Sequence, residues 1–203
     1  MLHTWQSKRL AHTHADLLAS PVYGPACQFF LSNVYASRDF SQRDHDIEYL
    51  YELMSQFIPQ FMLSLVRNAI EMNNLTNDLD RKLLRALTED LGVIDTITPQ
   101  LYAEGYRICD NYDERVRQIE LVAEVGHQVE LSTRIPMVDL TLRLARQPAR
   151  RAGWHELHDF LEQGFHAFKH MGGKAKIFLS LIRQRELHIL DNIFAGVIDP
   201  FKL

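Results

Sequence analysis

Apolar residues recur every three to four positions along almost the whole chain, and no stretch alternates with the two-residue period of a strand. The strongest run is Ile47, Leu50, Tyr51, Met54, Phe57, Ile58, Phe61, Met62, Leu65 and Val66. It predicts a helix of about five turns. Ser41 followed by Asp44 resembles a capping box and starts that helix, while Pro59 should kink it or split it in two. Upstream, Trp5 to Leu18 allows an amphipathic helix packed through Trp5, Leu10, Leu17 and Leu18, which Ser20-Pro21 and Gly24-Pro25 break. Pro25 then fits the first turn of a helix carrying Phe29, Phe30, Leu31, Val34 and Tyr35 as far as Arg38.

The second half reads in the same way. Asn73-Asn74 and Thr76 predict a turn and a cap before a helix on Leu79, Leu83, Leu84, Leu87 and Leu91, which stops at Gly92. Thr98-Pro99 opens the next, through Ile108, and a long helix runs from Asn111 to Thr133. Pro136 starts a helix through Leu144 that Pro148 closes, so Pro148 to Gly153 reads as an exposed basic loop. Trp154 to Met171 and Lys174 to Ala195 are two more helices, separated by Gly172-Gly173. The expected architecture is all-α, a single-domain bundle of about eight helices over residues 1–203, with no internal repeat and no linker.

Composition narrows the class. With 46% hydrophobic and 24% charged residues the chain has the balance of a globular protein. No apolar run approaches the roughly 18 residues that cross a bilayer, and the N-terminus lacks the apolar core of a signal peptide. Cys27 and Cys109 form no CxxC pair and are expected as buried thiols. Together these predict a cytoplasmic protein. The net charge of −4 hides an asymmetry: 18 acidic against 8 basic residues from Asp39 to Glu130, but 4 against 10 from Arg134 to Arg185. Opposite halves of this kind pair within the fold, steer self-association or attract a charged partner.

Candidate chemistry concentrates in three places. The stretch from Phe29 to Tyr51 holds the dipeptides Arg38-Asp39 and Arg43-Asp44. As a clamp, Asp39 or Ser41 caps the incoming helix, the arginines pair with acids and Phe40 staples the turn into the core. As a site, Tyr35, Arg38, Asp39, Arg43 and Asp44 line an interhelical pocket in which a guanidinium holds a carboxylate or phosphate. Glu124 and His127 form a Glu-x-x-His, the element that ferritin-like carboxylate bundles use twice to hold two metals; here it occurs once in a suitable context. Finally, His155, Asp159, Glu162, His166 and His170 fall on one side of a helix, opposite Leu157, Phe160, Leu161, Phe165, Phe168 and Met171. That polar side reads as a solvated face on which His166 and His170 bind transition metals adventitiously.

Other classes are disfavoured. No Gly-x-Ser-x-Gly elbow or phosphate loop occurs, since Gly172-Gly173-Lys174 lacks the preceding loop and strand. The basic residues Arg143, Arg146, Arg150, Arg151, Lys174 and Lys176 stand in an acidic chain without a nucleic-acid motif. The run Phe29-Phe30-Leu31, Tyr35, Asp39-Phe40-Ser41, Arg43-Asp44, with Leu91 to Val93 and Ile97 to Tyr102, resembles a signature of uncharacterised all-helical proteins of Proteobacteria. That resemblance implies a bacterial cytoplasmic protein and carries no activity.

Two expectations follow. The first is a non-catalytic helical binding or regulatory module, homodimeric, that engages a protein partner or an apolar small molecule; the cofactor is unknown, and neither nucleic acid nor a membrane is involved. The second is a metal-dependent, di-iron-like oxidase or hydrolase using Glu124 and His127 with acids such as Glu120, Asp44 or Glu48.

Overall fold

A computed structural model describes residues 1–33 and 60–203, and every regular element among them is helical. In chain order these are α1 (Leu2–Thr13), α2 (Ala15–Leu18), α3 (Gly24–Asn33), α4 (Gln60–Arg85), α5 (Pro99–Cys109), α6 (Tyr112–Ser132), α7 (Pro136–Ala152), α8 (His155–Met171) and α9 (Ala175–Phe194). Since α2 is a single turn, the all-α bundle of about eight helices expected from the pattern is what the chain forms. The Ser41 cap and the Pro59 kink lie outside the described residues, as do Tyr35, Arg38, Asp39, Arg43 and Asp44. No helix among the described residues is long and apolar enough to cross a membrane.

Several boundaries fall where local chemistry puts them. Thr98 caps α5 by accepting a bond from the Leu101 amide at 3.2 Å, with Pro99 in the first helical position, where its missing N–H costs nothing. Gly153, at φ 85°, closes α7 in the left-handed conformation that glycine adopts without strain.

Three boundaries differ from the pattern. Helix α4 runs through Asn73, Asn74 and Thr76 without a turn. The Thr76 hydroxyl accepts a bond from the Gln118 side chain of α6 at 2.9 Å, so it ties two helices together instead of capping one. Packing against α6 thereby overrides a weak local preference. Helix α7 likewise continues past Pro148 to Ala152, making the expected loop the last turns of a helix. Pro148 and Leu144 are both exposed, so the carbonyl that loses its intrahelical donor can bond to water. The first helix breaks at His14, whose backbone leaves helical geometry (φ −111°, ψ 27°) between α1 and α2.

Helix α6 is the centre of the packing, lying against α4, α9 and α8, while α8 also packs on α3 and α7. Gly126 makes the close approach of α6 to α9 possible, because a Cβ there would run into the side chain of Leu179. The core divides into two clusters. One gathers Leu83, Leu87, Tyr102, Tyr106, Ile189 and Ile193 with Trp5 at its edge. The other gathers Leu17, Cys27, Phe168, Met171, Phe178 and Leu179. Burial of Cys27 pushes its thiol up to about 11, so it is the inert buried thiol expected.

Candidate functional site

Between the two clusters lies a cavity of about 110 Å³, lined by residues of α1, α2, α3, α4, α5, α6 and α9 and by Phe201. Ile119, Val122, Ile182, Ile189, Leu190 and Phe30 give it apolar walls. The remaining wall is polar and mostly buried, built from Gln6, Arg9, His14, Asp80, Arg115 and Glu186.

Glu186 is the anchor of that wall. It stands on α9 between Ile182 and Ile189, within an otherwise apolar face, so the helix must carry its carboxylate inward. Both carboxylate oxygens accept from Arg9 Nη1 at 2.6 Å, and Oε1 also lies 2.9 Å from His14 Nε2. Because a carboxylate can only accept, His14 donates through Nε2. Burial raises the Glu186 pKa, but the Arg9 charge and the bonds from His14 and Arg9 outweigh it and hold the acid at about 2. Burial likewise opposes the charge on Arg9, and Glu186 more than restores it.

Asp80 organises the opposite side. It accepts a bond from Gln6 at 2.9 Å and lies 3.7 Å from Arg115 Nη1. Arg115 is only 3% exposed, and it also donates to the Leu79 carbonyl at 3.1 Å and to the Gln118 side chain at 3.0 Å. Its guanidinium sits 4.4 Å from the centre of the Tyr106 ring, a cation–π contact strengthened by the dry surroundings. The Tyr102 and Tyr106 hydroxyls bond to each other at 3.0 Å, and Trp5 stacks on Tyr102 at 4.1 Å. Burial, reinforced by Tyr106, lifts the Tyr102 phenol well above its ordinary value, so it stays neutral.

Three nitrogens on these residues are buried without a hydrogen-bond partner: Arg9 Nε, His14 Nδ1 and Arg115 Nε. All three residues line the cavity. Buried polar groups in folded proteins are normally satisfied, by protein, water or ligand, and leaving one bare costs about 1–3 kcal/mol. A cavity with apolar walls and a few polar side chains on one side has the make-up of a small-molecule site.

The residues singled out by motif sit elsewhere. Glu124 is exposed on α6 and accepts from Arg117 at 2.9 Å, while His127 is exposed and lies 3.4 Å from Glu130. His155, His166 and His170 are exposed as expected of a solvated face, and His170 bonds to the Pro21 carbonyl. His158, which lies off that face, is buried. Its Nε2 bonds to the Leu142 carbonyl at 2.7 Å, and His158, Asp159 and Glu162 each offer a donor atom within 4.8 Å of the others. The cavity residues carry no motif at all. Their signal is a charge inside an apolar stripe: Glu186 between Ile182 and Ile189, Asp80 beside Leu79 and Leu83, Arg115 one turn before Ile119.

The family model of a domain of unknown function, DUF8198, matches residues 1–200. The chain belongs to that family. An uncharacterised family is what the sequence resemblance implied. No curated protein and no solved structure matches the chain, so the cavity's chemistry carries the functional argument.

The Glu186 carboxylate gives the site a pH signature. Its pKa is lowered from 4.5 to about 2, so its stabilising effect is complete above pH 4.5 and is lost as pH falls toward 2. Glu186→Gln should destabilise the fold by about 3 kcal/mol at neutral pH, because it leaves the Arg9 charge buried without a counter-ion. Chemical denaturation from pH 7 to pH 2 checks both points: the wild type should lose more stability than the variant below pH 4.5.

Proposed function

We propose that the chain is a non-catalytic helical binding module whose interhelical cavity takes a small molecule with an apolar body and a hydrogen-bonding head. The observation that carries this reading is the coincidence of the charged and polar side chains of Arg9, His14, Arg115 and Glu186 with the apolar side chains of Ile119, Val122, Ile189 and Leu190 in the lining of one cavity. An engineered apolar cavity of about 150 Å³ accommodates benzene, so about 110 Å³ suits a ligand of roughly four to six heavy atoms. The module works in the cytoplasm, in keeping with two unpaired cysteines. Methyl NMR with butyrate, butyramide and 1-butanol tests the reading. At least one should shift the methyls of Ile189 and Leu190, and Val122→Phe should abolish the effect by filling the space. Silence from all three in the folded wild type contradicts it.

The same reading includes a homodimer. Met137, Leu140 and Leu144 on α7 are exposed and follow one another at the three- and four-residue steps of a coiled-coil seam. We assign the stripe to a second copy, since a two-fold axis buries the same apolar residues of both copies against one another. Light scattering coupled to size exclusion should give twice the 23.6 kDa chain mass, and Leu144→Asp should return it to one. A wild-type monomer at high concentration removes the dimer from the proposal.

Metal-dependent chemistry is the second reading, favoured by the His158, Asp159 and Glu162 cluster. With Nε2–H directed at the Leu142 carbonyl, His158 keeps a lone pair on Nδ1, the tautomer a metal requires. Glu162 is held by Arg146 and would have to leave it to bind. Titration with manganese and zinc should show one site lost in His158→Ala and retained in His166→Ala. The reverse pattern would assign binding to the exposed histidine face.

A further inference from the structure

The cation that faces the His158, Asp159 and Glu162 cluster belongs to the chain itself. Arg146 reaches from α7 to α8, and its Nη2 lies 2.5 and 2.7 Å from the two carboxylate oxygens of Glu162. A single nitrogen that close to both oxygens sits near the bisector of the carboxylate, where a metal ion bound by both oxygens would also sit. The Glu162 side chain is mostly buried and Arg146 is half exposed, so the guanidinium can turn out to water while the carboxylate stays in place. Glu162 and Arg146 also line a groove of about 580 Å³ with His166 and His170, which gives an ion a way in.

The other two ligands are set by the helix. His158 and Glu162 stand one turn apart on α8, with Asp159 beside them, so all three project from one side. His158 Nδ1 is 3.8 Å from Asp159 Oδ1, and the three donor atoms lie within 4.8 Å of one another. Small side-chain rotations bring such a set to the bonds of about 2.0–2.2 Å that one ion needs. The imidazole is the best fixed of the three, because it is buried and its Nε2 donates to the Leu142 carbonyl of α7 at 2.7 Å. That bond leaves Nδ1 for the metal.

Charge makes the two occupants exclusive. Asp159 and Glu162 against Arg146 leave one negative charge over, and a divalent ion in place of the guanidinium leaves none. Both cations together would put like charges side by side on one carboxylate. Resting on the metal reading above, we infer that the cluster takes a divalent transition-metal ion of the zinc class and that Arg146 is its built-in competitor. Ion and guanidinium occupy the Glu162 carboxylate in turn. The imidazole favours zinc over magnesium or calcium, which prefer an all-oxygen shell. Helix α7 stays docked when Arg146 leaves, since His158 still holds the Leu142 carbonyl and Lys169 still holds Asp139.

Isothermal titration calorimetry of the untagged full chain with zinc chloride, and with magnesium chloride for comparison, tests the inference. The wild type should bind zinc and not magnesium. Arg146→Gln should bind zinc roughly three- to tenfold more tightly, the scale of one part-exposed ion pair, and Glu162→Gln should bind it more weakly by at least about as much. His166→Ala should match the wild type. In the wild type, saturating zinc should also shift the Arg146 Nε–H resonance. Zinc affinity in Arg146→Gln equal to or below that of the wild type, or an unmoved Arg146 resonance, overturns the competition while leaving the metal site standing. Undiminished binding in Glu162→Gln with loss in His166→Ala assigns the ion to the exposed histidines and overturns both. So does an absence of zinc binding in both the wild type and Arg146→Gln.

Discussion

The rest of the structure depends on a carboxylate that the last helix carries into the interior. Glu186 holds Arg9 of α1 at 2.6 Å and His14, at the break between α1 and α2, at 2.9 Å. A bare carboxylate there would be untenable, so the N-terminal helices must dock on α9 for the bundle to close. A pair of this kind adds little net stability over a well-packed apolar contact, because removing both charges from water costs several kcal/mol. What it specifies is register: Arg9 and Glu186 meet only when α1 lies at one height along α9. Arg185, next in sequence, reinforces that height by bonding to Asp16 at 2.7 Å and to the Thr13 carbonyl.

The cavity is a consequence of the same constraint. Six polar side chains face one interior space, and they cannot interdigitate as leucines do, so the two apolar clusters on either side do not merge. Most of the hydrogen bonds this arrangement needs are made. Arg9 Nε, His14 Nδ1 and Arg115 Nε are buried without a partner.

Most of the fold was legible because helices announce themselves by period and by caps. Thr98-Pro99 and the long apolar pattern from Asn111 to Thr133 mark helices close to where they lie. The boundaries that differ have causes outside the local pattern: Thr76 bonds across to Gln118, and Pro148 is exposed, so the carbonyl that loses its donor can bond to water. The site was legible only in part. Charges at Asp80, Arg115 and Glu186 interrupt apolar stripes, and that interruption can be read from the chain. Their partners cannot, because Arg9 and Glu186 are 177 positions apart and no periodicity reports a contact of that range. Motif reasoning was drawn instead to Glu124 and His127, whose spacing is right for ligands but whose side chains face solvent.

The central claim is that the polar and apolar walls form one receptor for a small molecule. Isotope-filtered NOE spectroscopy with uniformly ¹³C-labelled butyrate, butyramide and 1-butanol tests it most directly, since it places the tail without reference to activity or affinity. Cross-peaks from the methyl of at least one of them to the side chains of Ile189 and Leu190 are predicted. Cross-peaks confined to exposed residues for all three would contradict it.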